Sequence, residues 1–123
     1  KIFGLDRVDK SKHFYVCEGP LDSLFIDNCL AVGGSDFDRL EGDFTVIFDN
    51  EPRNKEINKQ IEKIINKGRS IVLWPEQIKE KDINDMILSG MTKEELQEIL
   101  KNNTFTGALA KLRFAEWRKI NAQ

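Results

Sequence analysis

The sequence predicts an α/β fold: about four parallel strands sandwiched by helices, followed by a helical C-terminal extension. Three observations carry this. Short apolar runs at 14–17, 29–32, 44–48 and 70–74 alternate with helical stretches, and such alternation makes a parallel sheet with right-handed crossovers. The third run, Phe44-Thr45-Val46-Ile47-Phe48, is nearly all apolar, as a central strand covered on both faces should be. After residue 90 only helical spacing recurs. A single domain is expected over 1–123, with its core at 14–90 and the helical extension at 91–123.

Taken in order, residues 1–13 are charged (Arg7, Asp9, Lys10, Lys12) and read as an incoming connector. The first strand, 14–17, stops at Glu18-Gly19-Pro20, and a short helix over 21–28 follows. The second strand, 29–32, ends at Gly33-Gly34. Ser35 is placed to cap a brief helical turn through Leu40, and Glu41-Gly42-Asp43 is a turn. The third strand ends at Asp49-Asn50-Glu51-Pro52. The helix over 53–67 carries Ile57, Ile61, Ile64 and Ile65 as one apolar stripe, and Gly68 is a stop just past it. Pro75 forbids further pairing of the fourth strand. A polar loop at 76–81 leads to a helix over 82–88, closed by Ser89-Gly90. Thr92 and Glu95 form a capping box for a helix with Leu96, Ile99 and Leu100. The tail, 105–120, repeats helical spacing through Leu109, Leu112, Phe114 and Trp117.

Composition narrows the function. The chain has 123 residues, 40% of them apolar and 33% charged, with a formal net charge of −2. That balance argues against a self-sufficient basic nucleic-acid clamp. No apolar run reaches membrane-spanning length and there is no signal peptide, so a cytoplasmic location is expected and no membrane partner. The chain does not begin with Met and reads as a processed product or an excised fragment. Cys17 and Cys29 lack metal-motif spacing and sit in apolar stretches, which favours two buried, reduced thiols. The lone histidine, His13, reads as structural or exposed.

Carboxylates carry the chemistry. Glu18 follows the first strand, Asp49 and Glu51 the third, and Asp82 and Asp85 the fourth after a loop. Asp22 lies one helical turn beyond Glu18. In a parallel sheet all these acids share the C-terminal edge, where open α/β sheets bind their ligands. Any one acid alone reads as a helix cap or a solvated loop residue. Three groups in one topological position favour a metal site, because a divalent cation removes the repulsion among them. Oxygen-only ligands select a hard cation, Mg²⁺ with Mn²⁺ as an alternative. Such an ion suits phosphoryl or nucleotidyl transfer.

These residues also resemble a known family. Glu18-Gly19-Pro20-Leu21-Asp22 after a hydrophobic strand resembles the first motif of the Toprim domain, shared by topoisomerases, primases and some nucleases. Val46-Ile47-Phe48-Asp49-Asn50-Glu51 resembles the second, an apolar strand followed by Asp-x-Asp. Lys81-Asp82-Ile83-Asn84-Asp85 resembles the segment that follows the last Toprim strand in many primases. Order and spacing agree over 14–90, and Phe3-Gly4-Leu5-Asp6 looks like the lead-in found in primases. The phrasing around Glu18, with the tail from Leu112 to Lys119, looks most like primases of T-even-like phages.

The resemblance implies a Toprim-like fold and a DNA primase: Mg²⁺-dependent nucleotidyl transfer that makes RNA primers for DNA replication. By position, Glu18, Asp49 and Glu51 are the implied catalytic residues. Glu18, Asp49, Glu51, Asp82 and Asp85 are the implied metal ligands. Gly19, Asp22, Arg53 and Lys81 are the implied contacts to nucleotide or substrate, Asp22 mainly as a supporting residue. Implied partners are a single-stranded DNA template, ribonucleoside triphosphates and a replicative helicase. Two departures stand out. Glu51 occupies the place of a second Asp, and its longer arm would shift or loosen an ion. The zinc module and basic subdomain that precede Toprim in such primases are not in this sequence, so it reads as a C-terminal catalytic piece, weak or inactive alone. The competing readings are a Toprim nuclease using the same acids on water, and a non-catalytic module that binds nucleotide or helicase. Arg7, Lys10, Lys12, Lys55, Lys111, Arg113, Arg118 and Lys119 are possible phosphate contacts; Trp74 and Trp117 read as packing residues rather than base-stacking ones.

Overall fold

The computed structural model describes residues 2–33 and 36–119 (backbone only for Asp36). In chain order they form β1 (Ile2–Phe3), β2 (Phe14–Cys17), α1 (Pro20–Ser23), β3 (Cys29–Val32), a 3-10 turn (Asp36–Arg39), β4 (Phe44–Ile47), α2 (Lys55–Asn66), β5 (Ser70–Val72), α3 (Ile83–Leu88), α4 (Lys93–Asn102), β6 (Thr104–Phe105) and α5 (Gly107–Lys119). The expected cap at Ser35, the strand stop at Gly34 and the tail beyond Lys119 lie outside the described residues.

One sheet runs in the order β1-β3-β2-β4-β5-β6. The four inner strands are parallel, as the sequence predicts. Every residue of β3 and β4 is buried, so both faces of the sheet are covered. The chain steps from β2 to β3 in one direction and from β4 to β5 in the other. Right-handed crossovers therefore put α1 and α2 on opposite faces. The reversal falls between β2 and β4, and the crevice at their C-terminal ends is where such sheets hold ligands.

Two edges correct the sequence reading. Residues 1–13 are not wholly a connector, because Ile2 and Phe3 pair antiparallel with Val32 and Ala31. The tail is not helical from Phe105, because Thr104 and Phe105 pair antiparallel with Val72 and Ile71 before α5 begins. Strands of two residues have no periodicity to read. The first helix is also shorter than expected, and Asn28, at φ +54, turns the chain into β3. Asn28 is held by bonds from its amide group to the carbonyls of Asp9 and His13.

Packing follows the predicted stripes, with one exception. Ile57, Ile61, Ile64 and Ile65 bury the inner face of α2. Lys63 and Lys67 on its outer side both pair with Asp38 of the 3-10 turn. On α5, Ala110, Phe114 and Trp117 are buried, whereas Leu109 and Leu112 are 54% and 60% exposed. Those two leucines do not belong to the core. Both tryptophans are buried, in line with packing roles. Cys17 and Cys29 are free, buried thiols, their sulfurs 3.8 Å apart. The Cys29 thiol beside it and burial push the Cys17 thiol far up, so it behaves as a small apolar group. His13 sits at the opposite edge from the acids, its ring nitrogens 2.8 Å from Thr45 Oγ1 and 3.1 Å from Asp43 Oδ1. Among the described residues no helix is long and apolar enough to cross a membrane.

The start of α2 sets up the site. Asn54 is its N-cap, so the helix starts two residues inside the expected boundary, and its Oδ1 accepts from the amides of Glu56 and Ile57 at 3.0 and 3.1 Å. Its Nδ2 donates to Glu51 Oε2 at 3.0 Å. Asn54→Ala is expected to lower stability by about 1 kcal/mol, measured as a shift of the urea midpoint at constant slope. Unchanged stability would mean that the cap carries no load.

Candidate active site

The register brings the acids together. Cys17 pairs with Ile47 across β2 and β4, so Glu18 and Asp49 leave adjacent strands at the same edge within two residues of the ladder. The β4–α2 loop then carries Glu51 back over that edge. The 76–81 loop returns alongside it, because the Asn50 amide donates to the Lys81 carbonyl at 2.6 Å.

Asp49 is the centre of the cluster. Burial and the charges of Asp22, Asp82, Glu51 and Glu18 push its carboxyl up from 3.8 to about 6. Glu18 is raised by burial, then by Glu51 and Glu56. Asp22 is raised by burial, resisted by a bond from the Asn84 amide, and raised again by Asp82 and Asp85. Acids from three strand ends thus all act on half-buried Asp49.

Each acid is oriented differently. Asp22 Oδ1 accepts from the Asn84 amide at 3.1 Å, which ties α1 to α3. Gly19 lies directly under that carboxylate: a Cβ there would stand 3.1 Å from Asp22 Oδ2. Its backbone is ordinary (φ −91, ψ 123), so a side chain here would meet only the Asp22 carboxylate, which would have to give by a few tenths of an ångström. Glu51 is bound by Asn54 Nδ2, and Lys81 Nζ lies 3.9 Å from its other oxygen. The longer arm of this Glu is therefore tethered. Asp82 caps α3, accepting from the Asp85 amide at 2.8 Å, so one of its oxygens is engaged within the helix start. Asp85 is exposed and acts on Asp22 rather than on Asp49. Arg53 is exposed in the loop just after Glu51 and Pro52.

Several residues escaped the sequence reading. Asn50, Asn54, Asn84, Glu56 and Trp117 all bear on the acids. Only Asn54 carried a signal, as a good capping residue just ahead of a helical stripe. Of the basic residues, Arg7, Lys10, Arg113 and Arg118 lie over the rings of Phe3, Phe14, Phe105 and Phe114, so part of their role is packing.

The donor set fits a hard divalent cation. It is all oxygen, half-buried and internally repulsive, and added positive charge would relieve it. Among the described residues no three His, Cys, Asp or Glu side chains are drawn into a ready-made shell. Mg²⁺ usually takes only one or two carboxylates and completes its octahedron with water and phosphate oxygens. Were such an ion bound, Asp49 and Glu51 would be the residues to hold it, with Glu18 close enough to act on the charge of Asp49.

No family model matches the chain. Over 126 aligned residues it is 40% identical to a DNA primase of Enterobacteria phage T4, covering 98% of this chain. The chain spans 36% of the length of that curated relative. It is thus similar to one region of a phage primase.

Proposed function

We propose that this chain is the metal-binding catalytic region of a DNA primase, Toprim-like in fold, that makes RNA primers by nucleotidyl transfer. The observation that carries this is Asp49, raised to about 6 by burial and four further acids at the sheet's switch point, in a chain similar to part of a primase. The substrates are a single-stranded DNA template and ribonucleoside triphosphates. In the reaction the 3′-hydroxyl oxygen of one ribonucleotide bonds to the α-phosphorus of an incoming triphosphate. The α–β bridging bond breaks, pyrophosphate leaves with its electron pair, and the hydroxyl proton passes to a base.

Mg²⁺, when bound, would supply positive charge against the phosphates and the attacking hydroxyl. The protein's own groups do the rest. Asp49 and Glu51 would hold the ion, with Asn54 and Lys81 fixing the reach of Glu51. Glu18, whose raised carboxyl exchanges protons nearer neutrality, takes the hydroxyl proton. Gly19 lets backbone and substrate approach closely. Arg53 and Lys81, at the rim, meet the triphosphate. Asp22 and Asp82 brace the crevice wall.

Titrating Mg²⁺ into the protein should shift the side-chain resonances of Glu18, Asp49 and Glu51, saturating in the millimolar range. Should none of the three respond at millimolar metal, the metal-site assignment fails.

A further inference from the structure

We infer that Asn50 and Trp117 form a strut through which the C-terminal helix positions the acid site. The inference rests on the metal-site reading above. Asn50 stands between the two residues assigned to the ion, Asp49 and Glu51. Its amide donates to the Lys81 carbonyl at 2.6 Å. Its Nδ2 donates to the carbonyls of Ile78 and Glu80 at 3.0 and 3.1 Å. Its Oδ1 accepts from Trp117 Nε1 at 3.0 Å.

Those partners fix the side chain's orientation. Two carbonyls face its nitrogen and one N–H faces its oxygen, so a flipped amide would lose all three bonds. An aspartate here could accept from Trp117 but could not donate to Ile78 and Glu80. Only an amide of this length satisfies both sides.

Trp117 reaches Asn50 from a helix that packs on α2 and β5, and it is buried, only 3% exposed. A second indole works alongside it. Trp74, just past β5, donates from Nε1 to the Phe48 carbonyl at 2.9 Å. The residues on either side of Asp49 are thus each gripped by a tryptophan N–H. The cluster's own repulsion pushes Asp49 and Glu51 apart, and this grip opposes it. Partners that orient metal-holding carboxylates act on affinity although they never touch the ion.

The test is Mn²⁺ affinity, read by electron paramagnetic resonance of free ion. Trp117→Phe removes the indole N–H, at the cost of a smaller ring in a buried position; it should weaken Mn²⁺ binding about 10-fold. Asn50→Ala should weaken it at least as much, and the double variant no further than Asn50→Ala alone, because both act through one contact. Phe114→Leu, on the same helix and stacked 6.3 Å from Trp117, should lower the melting temperature and leave Mn²⁺ affinity unchanged. Unchanged affinity in Trp117→Phe overturns the strut. So does an equal loss in Phe114→Leu, which would reduce Trp117 to packing. A wild-type protein that binds no Mn²⁺ overturns the metal-site reading itself, and the strut's role with it.

Discussion

Asparagine in place of Asp49 is expected to make the metal-free protein more stable and, under the proposed function, to remove catalysis by the complete protein. The two effects have one cause. Folding brings Asp49 into a half-buried crevice beside Asp22, Asp82, Glu51 and Glu18, which raises its carboxyl from 3.8 to about 6. An acid raised in this way is penalised in the folded state whenever it is ionised. The cost is full above about pH 6, shrinks as pH falls, and is gone below 3.8, where both folded and unfolded forms are protonated. Wild-type stability should therefore gain from this group on acidification across that window, and Asp49→Asn should lose that gain. Allowing for solvent screening of a half-exposed group, the variant should be about 1–2 kcal/mol more stable at pH 7.5. Urea unfolding with chelator at pH 7.5 and pH 5 reads both effects. Added Mg²⁺ should reverse the order, because only the wild type binds it through this carboxylate. Under the proposed function, primer synthesis by the full-length protein should fall about 100-fold or more, the scale for losing one electrostatic stabiliser of a transition state. A variant less stable than wild type in chelator would show that the acids are not held against repulsion.

That tension was partly readable in the sequence, because each acid ends an apolar run and parallel strands put their ends on one edge. The four inner strands were legible for a related reason: burial on both faces leaves continuous apolar stretches. What stayed hidden depends on distant partners. β1 and β6 exist only because β3 and β5 offer them an edge. Trp117 and Asn50 are 67 residues apart in the chain, and Asn84 and Asp22 are 62 apart. Nothing local in Asp82-Ile83-Asn84-Asp85 distinguishes the acid that caps α3 and faces Asp49 from the one that points to solvent. The helical spacing of α5 placed Leu112 with the core as readily as Phe114, and only the packing against α2 and β5 separates them.

Glutamine at position 18 is expected to separate binding from chemistry. Glu18 leaves β2 beside Asp49, and burial, Glu51 and Glu56 hold its carboxyl above the usual range. A group raised in this direction is a poor ligand until a cation arrives, but a better proton acceptor near neutral pH. Glutamine keeps its length and hydrogen-bonding shape while removing its charge and its proton. If Glu18 works as the base, Glu18→Gln should change Mn²⁺ affinity by less than about 10-fold, an effect no larger than losing an orienting partner. The turnover number for primer synthesis should fall by about 10²–10⁴, with the Michaelis constant for triphosphate little altered. The acid limb that Glu18 imposes on the turnover number should vanish with it, since the residual reaction no longer needs that carboxylate ionised. Asp49→Asn should do the opposite first, losing the ion before the chemistry. Should Glu18→Gln lose Mn²⁺ as completely as Asp49→Asn, then Glu18 belongs to the ion's shell, and the hydroxyl proton must leave through water.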